Sequence, residues 1–133
     1  MSEITLNQCL LIPTILCLLS LTFILIQRRR IKERRGNAFY ISIISFVTIY
    51  LIIVGGAFYS DIYYQWDLNK YDLDKDGFFG SPNDTTPEQQ LAMQRLTNDL
   101  GRNLSFVTGL VFSSIISGVL YLTISTYKKL KLN

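Results

Sequence analysis

Three long stretches without a charged side chain decide what this chain can fold into. They cover 10–26, 38–60 and 104–127. A helix needs about 20 apolar residues to cross the hydrocarbon layer of a bilayer, and each run reaches or approaches that length. A helix resting on a soluble core would carry a polar stripe repeating with the helical period, and none of the three does. With 133 residues in all, there is room for one domain. The sequence therefore predicts an all-α membrane protein, a single membrane domain over 1–133 with transmembrane helices over about 7–27, 38–60 and 104–127.

The charges that the spans exclude are segregated by sign. Between the first two runs, 28–35 holds Arg28, Arg29, Arg30, Lys32, Arg34 and Arg35 against Glu33 alone, and the tail holds Lys128, Lys129 and Lys131. Segment 61–103 holds eight acids and four bases. Short basic loops stay on the cytoplasmic side. A basic cytoplasmic loop over 28–37 then puts the N-terminus outside, the acidic segment outside and the C-terminus in the cytoplasm. The beginning of the chain lacks the positive region of a cleaved signal, so the first run is read as a retained span. Residue usage and size suggest a bacterial inner (plasma) membrane. An arginine cluster between two spans is a topology signal with attraction for anionic lipid heads, not a nucleic-acid surface. The partner expected first is the lipid bilayer itself.

Much chemistry is excluded. No Asp, Glu, Lys, Arg or His falls within a span, where such groups mark ion paths, proton relays or intramembrane catalysis. The chain has no histidine, which removes the commonest general base and the usual zinc and haem ligands. No nucleophile elbow, phosphate-binding glycine loop or thiol pair is present, so an enzyme is not expected. Cys9 and Cys17 lie about 12 Å apart along a helix, too far to bridge. In the third span Ser105, Gly109, Ser113 and Ser117 recur every four residues. A face of small residues lets helix backbones approach closely in a membrane, against the other two spans or against a second copy or partner membrane protein.

The acidic segment has its own order. Thr85 with Glu88, or Thr86 with Gln89, forms a capping box, and Pro87 suits a first turn. These signals predict a helix over 86–100 that ends at Gly101 in a left-handed stop. Its apolar side, Ala92, Met93, Leu96 and Leu100, should rest on the membrane surface or on the aromatic residues that precede the loop. Among those, Phe58, Tyr59, Tyr63, Tyr64 and Trp66 fit an interfacial belt. No proline or glycine interrupts the chain between Ala57 and Tyr71, so the second span should continue beyond the membrane.

Between these helices, Asp72, Asp74 and Asp76 alternate along the chain and Gly77 follows at once. Alternate carboxylates on a tight loop can face one centre, which is what a hard divalent cation requires. Asp72, Asp74, Asp76 and Gly77 resemble positions 1, 3, 5 and 6 of the EF-hand calcium-binding loop; the resemblance covers about 15–20 residues. It implies calcium as the ligand and the backbone carbonyl of Phe78 as a further ligand. The closing position departs from the pattern: the family's bidentate Glu is replaced by Asn83 in strict register, by Asp84 if Gly80 is an insertion, or by Glu88 from the next helix. Asp84 is the expected ligand. Such a loop, spanning 72–84, should bind calcium weakly, at the level of extracellular modules, as a structural staple or a sensor. The alternative is a non-catalytic accessory or oligomerising membrane subunit without a metal.

Overall fold

The computed structural model describes residues 7–71, 86–97 and 100–132, and every element among them is a helix. They are α1 (Gln8–Ile26), α2 (Arg28–Asn69), α3 (Pro87–Thr97), α4 (Leu100–Asn103) and α5 (Ser105–Leu132). Three helices are long and apolar enough to cross a membrane: α1, α2 and the one that contains α5. Their outward surfaces are apolar to an extent that water would not tolerate. Leu19, Phe23, Ile52, Phe112 and Leu122 are each 60% or more exposed. Leaving such a side chain in water forgoes about 1.5–3 kcal/mol relative to burying it, whereas lipid chains cover it without that loss.

Segment 28–35, expected as part of the basic connection over 28–37, is helical. Its arginines, lysine and glutamate are good helix formers and no breaker precedes Gly36. Gln27 alone separates it from α1, and the Ile31 N–H donates to the Gln27 carbonyl at 3.0 Å. The chain turns at Gly36, where φ is 84° and ψ is 167°, a backbone region open essentially to glycine only. Beyond it α2 runs unbroken over 37–69. Thirty-three residues at about 1.5 Å each make a rod well longer than the roughly 30 Å hydrocarbon layer, so α2 continues past the apolar region, as its composition predicts.

Packing of α1 on α2 follows a repeat of seven. Leu10, Cys17 and Ile24 of α1 share one core with Tyr40, Val47 and Val54 of α2; Asp61 and Leu68 continue the buried series on α2 beyond that core. Seven-residue spacing keeps one seam on the partner helix. Pro13 lies one turn further into α1 than a first-turn proline would, at its sixth residue, so the Cys9 carbonyl receives no amide from it.

The third long helix packs on α2 through small residues. Ser105 and Ser113 are buried. A Cβ added at Gly109 would stand 3.1–3.2 Å from the Tyr50 ring and the Ile53 side chain. The Tyr50 hydroxyl donates to the Phe106 carbonyl at 3.1 Å. Serine and threonine hydroxyls in the apolar helices return to their own backbone: Thr14 to Leu10, Ser42 to Ala38, Ser113 to Gly109 and Thr126 to Leu122, at 2.6–2.9 Å. This is how a hydroxyl is satisfied without water.

Candidate functional site

The acidic end of the molecule holds a polar cluster that the sequence did not announce. Asp61 is the fourth member of the buried seven-residue series on α2, and its side chain is turned into the protein. The Nε of Arg102, from α4, lies 3.3 Å from Asp61 Oδ1, and the two side chains are 3% and 6% exposed. Gln65, one turn on, donates to Asp61 Oδ2 at 3.1 Å. Arg102 also donates to the Leu96 carbonyl at the end of α3, and its guanidinium lies 5.3 Å from the Tyr64 ring centre. One arginine therefore ties together α2, α3 and α4 at the start of the third long helix.

Helix α3 packs against α2. Thr86 caps it: its hydroxyl oxygen accepts from the Gln89 N–H at 3.2 Å. Of the two capping boxes the sequence offered, the Thr86–Gln89 pair makes this bond; Thr85, the cap of the other, lies outside the described residues. The reciprocal arm is not made. The Gln89 side chain turns inward, 3% exposed, and neither atom of its amide has a hydrogen-bond partner among the described residues. The buried side of α3 is Gln89 and Ala92, with Leu96 half-buried beside them. Met93 and Leu100 are exposed, so within the chain only Ala92 and Leu96 of the expected apolar face are covered, and the rest is left for a membrane surface. The stop expected at Gly101 is corrected: it lies inside α4 and has no positive φ, because the chain must stay helical there to carry Arg102 towards Asp61.

On the far side of the cluster, α2 ends in exposed aromatics. Tyr63 lies against Tyr64 and Trp66, with ring centres 5.8 and 6.2 Å apart. Lys70 reaches back over the Trp66 ring at 3.9 Å and pairs with Asp67 at 3.1 Å. A cation at a helix C-terminus also complements the dipole.

The residues expected to hold calcium, Asp72, Asp74, Asp76, Phe78 and Asp84, lie outside the described residues, as does Asn83. The structure does describe what borders them: α2 with its closing turn at Lys70 and Tyr71, and the Thr86 cap of α3, with Glu88 exposed in its first turn. Among the described residues no group of three His, Cys, Asp or Glu side chains could hold a metal ion. Of the residues expected to meet a partner, Ser105, Gly109 and Ser113 face inward and Ser117 is half-exposed. Comparison with protein-family models, with curated proteins and with solved structures finds no match to this chain.

Sequence reading missed the Asp61–Arg102 pair. A signal was available: counting by sevens from Tyr40 through Val47 and Val54 lands on Asp61, which places a carboxylate on the buried seam. A carboxylate there requires a cation, and Arg102 and Arg95 were the arginines of the following segment.

Proposed function

We propose that this chain is a small integral membrane protein that binds calcium on its outward face through Asp72, Asp74, Asp76, the Phe78 carbonyl and Asp84. What carries the reading is the placing of the Asp72-Asp74-Asp76-Gly77 pattern directly between two helices: α2, which extends beyond its apolar stretch to Asn69, and α3, which starts at the Thr86 cap. Without the ion the clustered carboxylates repel one another; coordination replaces that repulsion. Because Arg102 ties α3 and α4 to α2, the ion acts as a staple across a helix pair already joined at Asp61. The site belongs to the low-affinity, extracellular range, because the long bidentate Glu is missing.

Calcium titration of the detergent-solubilised protein, read by Trp66 fluorescence, tests this. Trp66 is half-exposed near the end of α2, with Lys70 over its ring. A saturable change with a midpoint on the order of 10⁻⁴–10⁻³ M is expected, lost in Asp74→Ala and weak with magnesium. An unchanged signal in wild type and variant up to about ten times that range ends the proposal. Orientation is tested separately by labelling Ser81→Cys from outside intact cells; protection would reverse the topology.

The accessory-subunit reading has less support. Three of its four small residues are buried within the chain, Gly109 against Tyr50 and Ile53 of α2, which leaves Ser117 and its neighbours Ser114 and Gly118 for a partner.

A further inference from the structure

Two grooves open at the basic end of the molecule. The larger, about 1160 Å³, runs between α2 and the rod formed by α1 with segment 28–35. One wall is a single stripe: Leu16, Ser20, Phe23, Gln27, Arg30 and Arg34 all line it. They follow at alternating steps of four and three residues, the spacing of one helix face, and the stripe crosses Gln27 without changing side. The smaller groove, about 570 Å³, lies between α2 and α5 and reaches Ser117, Gly118 and Tyr121. Both grooves are lined by Arg35, Phe39 and Ile43. These three residues of α2 therefore form a ridge with a groove on each side.

Polarity changes once along the larger groove. Up to Phe23 and Ile24 the wall is mainly apolar; past Gln27 it is cationic. Arg30, Arg34 and Arg35 are exposed, and none of them pairs with a carboxylate among the described residues. An apolar trough that ends in unpaired guanidinium groups has the charge profile of an acyl chain joined to an anionic head. Guanidinium is the side chain best suited to phosphate, through paired charge-assisted hydrogen bonds.

We propose that the basic end binds one two-chain anionic phospholipid, its phosphate held by Arg30, Arg34 and Arg35 and its acyl chains lying one in each groove, on either side of Phe39 and Ile43. The site is independent of the calcium reading and goes beyond the general attraction of basic segments for anionic leaflets. That attraction counts charges wherever they lie, whereas this site depends on which arginines line the groove.

The position dependence supplies the test. Arg28 and Arg29 are exposed in the same helical turn but line neither groove. Delipidated protein in detergent is titrated with dioleoyl-phosphatidylglycerol and with dioleoyl-phosphatidylcholine, and bound lipid is counted by native mass spectrometry. One phosphatidylglycerol per chain is expected, with phosphatidylcholine at least about tenfold weaker. Arg30→Gln/Arg34→Gln should weaken phosphatidylglycerol roughly tenfold or more, the loss expected for one or two charge-assisted bonds. Arg28→Gln/Arg29→Gln removes the same charge and should leave binding within about twofold. Equal losses in the two double variants, or equal binding of the two lipids, would overturn the site. Gly118, with nothing within 4 Å of an added Cβ, serves the second groove. Gly118→Leu should weaken the two-chain lipid but not its single-chain lyso form, and an equal effect on both would overturn the assignment of one chain to each groove.

Discussion

At the acidic end of α2, Asp61 and Arg102 are almost sealed from solvent and hold three helices together. At the basic end, Arg30, Arg34 and Arg35 stand exposed beside two open grooves, one on each side of Phe39 and Ile43 of α2. Both ends are rich in charge, yet charge has opposite uses in them. A desolvated ion pair fixes geometry, because either partner left alone is costly. Exposed arginines fix little by themselves and remain able to meet an outside anion. The acidic end is thus the closed clamp of the molecule, and the basic end is held by apolar sevens and one glycine turn.

The largest expected effect follows from breaking the clamp. Asp61→Ala leaves the Arg102 guanidinium buried without its carboxylate and should cost about 3–5 kcal/mol in detergent unfolding. Asp61→Leu combined with Arg102→Met should recover most of that, since a well-packed apolar pair can match a buried ion pair. If the single variant unfolds like wild type, the pair does not hold the acidic end and the contrast between the two ends fails.

The two ends were also unequally legible. The spans were plain because a bilayer demands long charge-free runs, and α1, α2 and α5 follow from 10–26, 38–60 and 104–127. At the basic end, the cluster over 28–35 reads as topology, and that reading hides its second property: Arg, Lys and Glu form helices, so the segment continues α1 up to Gly36. At the acidic end, Gly101 reads as a helix stop because glycine so often is one. What overrides that local preference is a tertiary partner distant in sequence, Asp61, which propensity cannot see. The Thr86 cap was legible because it needs only residues three apart. The inward turn of Gln89 was not, because a capping box would have used that side chain locally. The aspartates of 72–76 are legible as a pattern, and the pattern remains the ground for calcium.

A smaller effect is expected from the turn that closes the basic end. Gly36→Ala meets no steric obstacle, since nothing lies within 4 Å of an added Cβ. The cost is in the backbone alone: φ of 84° with ψ of 167° is strained for any residue with a side chain, by about 1–3 kcal/mol. Unfolding in detergent should show that loss. Amide exchange should locate the loosening in 28–40 and leave α3 and α4 unaffected. Loosening that spreads to the Asp61–Arg102 cluster would mean that the two ends are coupled through α2 rather than held separately.

The smallest effect concerns two cations of segment 28–35, Lys32, which is half-buried, and Arg35, which is exposed. Lys32 lies 5.4 Å from the centre of the buried Tyr40 ring, and Arg35 lies 6.0 Å from that of Phe39. Cation–π contacts at exposed sites contribute about 0.5–1 kcal/mol, and surface charges little beyond that. Lys32→Gln and Arg35→Gln should therefore each lower stability by no more than about 1 kcal/mol in lipid-free detergent, several-fold less than Asp61→Ala. Arg35→Gln should become more costly when phosphatidylglycerol is added, because a ligand that binds only the folded chain adds stability in proportion to its affinity. Lys32 lines neither groove, so Lys32→Gln should keep the full lipid-dependent gain. If the two variants gain equally from the lipid, stability at the basic end tracks total charge and not the groove-lining arginines.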